Sequence, residues 1–164
     1  MAGQTSRVTV VRRVRASEWR ELRDLRLEAL KDSPGAFWTR YEEAVQRSDD
    51  DWREWTSLAC HVAVENDRIV GMVAGFPEED DPATAVLLAM FVTPTARGRG
   101  VGRSLVDAQL EWARAEGFQR MSLLVNVDQG SAVRLYERCG FVDTGERSAL
   151  RDTEHTLATM VREL

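Results

Sequence analysis

The segment from Met90 to Arg103 constrains this chain most. An apolar run, Ala85 to Val92, ends at Thr93-Pro94, and glycines then alternate at 98, 100 and 102. A helical pattern follows, with Val101, Leu105, Ala108 and Trp112 on one face. A buried strand that turns through glycines into a helix belongs to a sheet with helices packed on it. Such a turn points several N–H groups into one concavity, and the helix N-terminus adds about half a positive charge. The result is an anion site, most naturally for phosphate, and Arg97, Arg99 and Arg103 strengthen it. The dinucleotide fingerprint Gly-x-Gly-x-x-Gly fails, because Arg103 stands where its third glycine belongs. The P-loop pattern fails too, since no Gly-Lys-Ser/Thr follows. Tight strand–helix packing alone would not need three glycines and three arginines together.

The rest of the chain supplies the sheet and its cover. Val8, Val10 and Val14 mark a strand near 7–14, and Ser17 caps a helix over 18–31. Ser33-Pro34 predicts a second helix carrying Phe37, Trp38, Tyr41 and Val45 on one side, then a short helix around Trp52 and Trp55. Residues 59–65 and 68–76 read as a hairpin about Asn66-Asp67, and a strand covers 84–93. A helix over 100–116 ends at Gly117, a strand spans 119–127, and a helix over 130–139 ends at Gly140. Closing strands are expected near 141–147 and 153–162. This order predicts one domain over residues 1–164, a mixed α/β sheet.

Several classes of function are disfavoured. The net charge is −5, so a general phosphate-backbone binder of nucleic acid is not expected. No apolar run reaches the roughly 18 residues of a membrane span, and the polar N-terminus leads into no signal-peptide core. A cytoplasmic protein is expected. Cys60 and Cys139 are too few for a disulfide framework and read as buried thiols. Two histidines without His-Glu-x-x-His spacing give no zinc enzyme. The acidic runs Asp49–Asp51 and Glu78–Asp81 read first as solvated faces, with attraction of a cationic amine as a hypothesis.

Arg97-Gly98-Arg99-Gly100-Val101-Gly102 resembles the Arg/Gln-x-x-Gly-x-Gly/Ala motif of the GNAT N-acetyltransferase superfamily. Met90-Phe91-Val92-Thr93-Pro94 looks like that family's fourth strand. Ala132-Val133-Arg134-Leu135-Tyr136-Glu137-Arg138-Cys139-Gly140-Phe141 is similar to its second signature, Ala-x-x-Leu-Tyr-x-x-x-Gly-Phe. Two motifs separated by the expected helix and strand make a specific match, and the order of elements fits over nearly the whole chain.

The resemblance implies a mostly antiparallel sheet with splayed central strands flanked by helices. It implies acetyl-CoA as co-substrate, its pantetheine beside Met90, Phe91 and Val92 and its pyrophosphate on Arg97, Gly98, Arg99, Gly100, Val101, Gly102 and Arg103. Asn126, Ser131, Tyr136 and Arg138 complete the implied CoA-binding set. Tyr136 matches the tyrosine assigned as general acid toward the leaving thiolate; its place on an apolar helical stripe also suits a core aromatic. Two positions depart from the pattern. Val86 stands where many relatives carry a glutamate, and Gln129 where they often carry asparagine. The base is therefore open among Glu42, Glu43, His61, Glu154 and His155. The implied function is acetyl transfer to a small-molecule amine. The alternatives are a protein N-terminal or lysine acetyltransferase and a non-catalytic CoA-binding sensor. A homodimer is expected by analogy.

Overall fold

The computed structural model describes residues 7–164; Met1–Ser6, the polar N-terminal run, lies outside them. The elements are β1 (Val10–Arg13), α1 (Trp19–Asp32), α2 (Tyr41–Ala44), α3 (Asp49–Trp55), β2 (Ala59–Glu65), β3 (Arg68–Pro77) and β4 (Thr84–Val92). Then follow α4 (Val101–Ala115), β5 (Arg120–Asn126), α5 (Gly130–Arg138), β6 (Val142–Ala149) and β7 (Thr156–Glu163). The strands form one sheet in the order β1-β2-β3-β4-β5-β7-β6, antiparallel except for the β4–β5 pair.

Strand alternation sorts the core onto two faces. Cys60, Val62, Met72 and Ala74 join Leu22, Leu25 and Leu30 of α1. Ala63 and Val73 join Leu105 and Leu110 of α4 and Tyr136 of α5 on the other face. The predicted hairpin is present: Asn66 and Asp67 take left-handed φ of 48° and 60°, the twist a two-residue turn needs. The acidic run Asp49–Asp51 opens α3, with the Ser48 side chain accepting from the Asp51 amide at 3.1 Å and Asp51 accepting from the Ser48 amide at 2.9 Å. A reciprocal cap of this kind is worth about 1 kcal/mol, so local folding accounts for these acids.

The helix predicted from Ser33-Pro34 does not form. Pro34–Ala36 makes one 3-10 turn, Phe37 is extended, and only Tyr41–Ala44 is helical. The reason is tertiary. Asn126 Nδ2 donates to the Gly35 carbonyl at 2.8 Å, taking the acceptor that the Thr39 amide would need in an α-helix. Glycine and a Phe-Trp-Thr run offer little helical propensity against that competition. The segment instead becomes a wall between two cavities.

Candidate active site

β4 and β5 pair only at Thr84–Arg120, Ala85–Met121 and Val86–Ser122. Beyond Val86 they diverge, and β5 keeps its pairing with β7 through Asn126. At the divergence β4 carries one residue more than β3 between the pairs Ala74–Leu88 and Met72–Phe91. Ala89 takes up this bulge at φ 56°. An alanine in this region costs about 1–2 kcal/mol, and bulges redirect backbone groups beside functional gaps.

A groove of about 550 Å³ opens from this gap. Met90, Phe91 and Val92 line one side, Arg97, Gly98, Gly100, Val101, Gly102 and Arg103 its end, and Ser131 and Arg138 the opposite helix. Gly98 and Gly100 hold φ of 76° and 81°, which lets the chain turn directly into α4. Gly102 serves packing: a Cβ there would lie 3.1 Å from Leu135 Cδ2 of α5. Among the described residues, no main-chain amide from Gly98 to Arg103 makes a well-formed hydrogen bond to protein. Neither Arg103 nor Arg138 is held in a side-chain hydrogen bond or ion pair with another described residue. Free amides, a helix N-terminus and two available cations fit a polyanion.

Three predicted residues stand outside the groove lining. Arg99 turns away to Glu65 at 2.9 Å, bracing the turn against the end of β2. Asn126 is buried and engaged with Gly35; its Oδ1 also accepts from the Asp128 amide at 2.9 Å. Tyr136 lies in the core edge-on to Phe141, with ring centroids 5.9 Å apart, and burial pushes its phenol upward so that it stays protonated. Arg97 does line the groove, but its guanidinium is spent: Nε donates to Val92 O at 2.9 Å and Nη2 pairs with Asp32 at 2.9 Å. Gln129, Ala132, Leu135, Ser33, Ala36 and Phe37 also line the groove. The last three come from the segment read as helix, where no motif marks them as part of this groove.

Phe37 also lines a second cavity of about 450 Å³, bounded by residues 30–42 and the β6–β7 connection. Its walls include Leu30, Trp38, Tyr41, Leu150, Arg151 and His155. Trp52 and Trp55 do not line it; they pack under α1. Two ion pairs tie its walls together: Arg151 with Glu43 at 2.7 Å, and Arg40 with Asp152. Neither acidic run of the sequence lines this cavity, so attraction of a cationic acceptor by them would act through the field and not by contact.

Two base candidates fall away. His61 is buried, its Nδ1 accepting from Gln109 Nε2 at 2.9 Å, and burial followed by Arg13 lowers its pKa to about 4. Glu43 is held at about 2 by its hydrogen bond to Arg151 and another from the Arg40 amide. Glu42 and His155 line the second cavity, and Glu154 does not. The His155 ring lies beside the gap: a Cβ on Gly35 would meet its Nε2 at 3.1 Å and Asn126 Nδ2 at 3.4 Å, while Nδ1 is 3.7 Å from Asp128. Cys60 is buried, which raises its thiol to about 12 and keeps it neutral, and Cys139 is buried and raised too. Among the described residues no helix is long and apolar enough to cross a membrane, and no cluster of metal-ligating side chains occurs.

The splayed parallel pair and the amide-lined turn define an acetyltransferase architecture. A family model described as "Acetyltransferase (GNAT) family" matches residues 19–141, and the chain belongs to that family. N-acetyltransferase 8F1 of Rattus norvegicus is 32% identical over 120 residues, covering 69% of this chain and 54% of that protein. Mycothiol acetyltransferase of Rhodococcus jostii is 33% identical over 108 residues, covering 63% of this chain and 35% of that protein. The chain spans about half the length of the first-ranked curated relatives it matches. A GNAT acetyltransferase structure from Streptococcus pneumoniae superposes with a TM-score of 0.83 at 18% identity, covering 96% of this chain and 99% of that one. YncA of Salmonella typhimurium, solved with its cofactor acetyl-CoA, superposes at 0.81 with 18% identity, covering 96% and 94%. At these identities the two structures establish the fold.

Proposed function

We propose that this chain transfers the acetyl group of acetyl-CoA directly to the amine of a small molecule. One observation carries the reading: the β4–β5 gap opens into a groove whose end is lined by Gly98, Gly100, Val101, Gly102 and Arg103, and the main-chain amides of this turn have no acceptor among the described residues. These amides, with Arg103 and Arg138, would hold the pyrophosphate and phosphate charges, while Met90, Phe91 and Val92 flank the pantetheine. YncA, which shares the fold, binds acetyl-CoA, and this supports the assignment.

Acetyl-CoA supplies an activated thioester carbonyl. An uncharged amine entering from the second cavity attacks that carbon, a C–N bond forms, and the C–S bond breaks. A β4 amide, that of Phe91 or Val92, faces the developing oxyanion. His155 removes the proton the amine must lose, because it lines the acceptor cavity beside the gap. The proton for the departing thiolate is assigned to Tyr136 by the family resemblance alone, because the phenol stays protonated but lies in the core outside the groove lining. A second copy would pair along β6, which is exposed throughout its length at the sheet edge.

The test is acetyl-CoA-dependent thiol release across aminoglycosides, polyamines, aryl-alkylamines, amino acids and short peptides. Release with one small-amine class is expected. Release with peptides alone would move the assignment to a protein acetyltransferase. Saturable acetyl-CoA binding without any release would favour a sensor.

A further inference from the structure

Arg26 lies on the inner face of α1, one turn before Leu30, and is 3% exposed. Its guanidinium lies 4.6 Å from the Phe37 ring centroid and 5.6 Å from that of Trp55. Its Nε and Nη1 are buried and donate to nothing among the described residues. Arg47, just after α2, brings a second guanidinium over Trp52 and Trp55 at 5.5 and 5.8 Å, and its Nη1 is buried and unpartnered as well. No carboxylate pairs with either arginine among the described residues. The neighbouring Cys60 thiol is neutral and offers no counter-charge. Burial, and then Arg47, draws the Arg26 pKa down to about 10, so it remains a cation at neutral pH. Ring faces attract a cation but accept no conventional hydrogen bond, so the aromatic nest leaves three donors unsatisfied.

The position of this pair gives it a use. Phe37 covers Arg26 on one side and lines both cavities on the other, and Leu30, one turn further along α1, lines the acceptor cavity. We propose that Arg26, supported by Arg47, is the anchor for a carboxylate on the acceptor, so that the preferred substrate is an amine that also carries a carboxylate. The proposal rests on the acetyltransferase reading above. Its donors match a carboxylate: a guanidinium presents parallel N–H groups that bind one in a bidentate manner. Access requires Phe37 to turn aside. It sits in an extended stretch between a single 3-10 turn and a four-residue helix, where few main-chain bonds resist the movement.

The experiment compares phenylalanine, phenylalanine amide and phenethylamine as acceptors for wild type and Arg26→Met, following thiol release. Wild type is expected to favour phenylalanine by about 100-fold in kcat/KM, since a polar site rejects analogues that leave its groups unpaired. Arg26→Met is expected to lose that preference while keeping acetyl-CoA affinity. Its thermal stability should hold or rise, because removing an unpaired buried charge relieves the fold. A preference already absent in wild type, or undiminished in Arg26→Met, overturns the proposal. If none of the three is acetylated, the decision passes to Trp fluorescence titrations with phenylalanine and with phenethylamine. Saturation by phenylalanine alone, lost in Arg26→Met, supports the anchor; equal responses, or no response, overturn it and leave the buried pair hydrated only. Absence of acetyl-CoA binding in the same preparation would instead strike the acetyltransferase reading itself.

Discussion

The two cavities that meet at Phe37 are built by different means. The groove at the β4–β5 gap is made largely of main chain: unpaired amides, two glycines at positive φ, and a strand edge left free by splaying. The second cavity is made of side chains on irregular segments, tied together by Arg151–Glu43 and Arg40–Asp152. On the proposed reading the main-chain site would hold acetyl-CoA, a ligand that does not vary, and its geometry allows few substitutions. A side-chain site can be rebuilt one residue at a time, which suits a variable acceptor. The teaching is a division of labour: perturbing one cavity should move one substrate's constants and spare the other's.

The largest effect should fall on the chemical step, which the two substrates share and which the family resemblance gives to a residue outside both linings. Tyr136→Phe removes the proposed acid while keeping the ring against Phe141. A fall in kcat of at least about 100-fold is expected, with acetyl-CoA affinity and thermal stability unchanged. Steady-state kinetics beside calorimetric titration checks it. An unchanged kcat would make Tyr136 a core aromatic only.

Next comes the main-chain cavity. Gly102→Val forces a branched side chain toward Leu135, already 3.1 Å from where Cβ would stand. Overpacking of this kind costs about 2 kcal/mol of folding stability, and relieving it by moving the turn out of its ligand geometry weakens binding by up to the same amount, roughly 30-fold. The dissociation constant of acetyl-CoA should rise by that amount while the acceptor KM stays put. A rise in the acceptor KM instead would break the division. The mirror experiment is Trp38→Ala. Trp38 is 58% exposed and lines only the second cavity, so its loss should spare folding. An increase of about 20-fold in the acceptor KM is expected, with acetyl-CoA binding intact.

The same division explains what could be read from the chain alone. Positive-φ glycines, the apolar run before them and the helical stripe after them are local features. Gly98, Gly100, Gly102 and Val101 announce the groove within a dozen residues. Residues 33–42 announce nothing comparable, because their conformation is imposed from elsewhere. Asn126, 91 residues away, takes the Gly35 carbonyl and cancels the helix that Ser33-Pro34 suggested. Arg99 and Asn126 look alike to a motif, yet one is drawn off by Glu65 and the other is spent on that loop. The five aromatics between residues 37 and 55 were legible, but not their partition. Phe37, Trp38 and Tyr41 face the cavity, whereas Trp52 and Trp55 shelter Arg26 and Arg47. Nothing in the spacing of Arg26 and Arg47 sets them apart from surface arginines.

The smallest effect at neutral pH concerns the support beneath the main-chain cavity. α4, which follows the glycine turn at the end of the groove, rests on β2 through Gln109, whose Nε2 donates to Ala59 O at 2.7 Å and to His61 Nδ1 at 2.9 Å. His61 therefore accepts a bond that it can make only when neutral at Nδ1. Its pKa of about 4 lies below the ordinary 6.5, so below pH 6.5 the unfolded chain takes up a proton that the folded chain refuses. The stabilisation is complete above pH 6.5 and is lost as pH falls toward 4. The loss should reach about 1.4 kcal/mol by pH 5.5. His61→Gln removes the titrating group, so denaturant midpoints measured from pH 8 to pH 5 should fall less steeply in the variant than in wild type. Parallel curves would show that His61 is not what ties the acetyl-CoA half of the fold to pH, and the comparison between the two cavities would then stop at their linings.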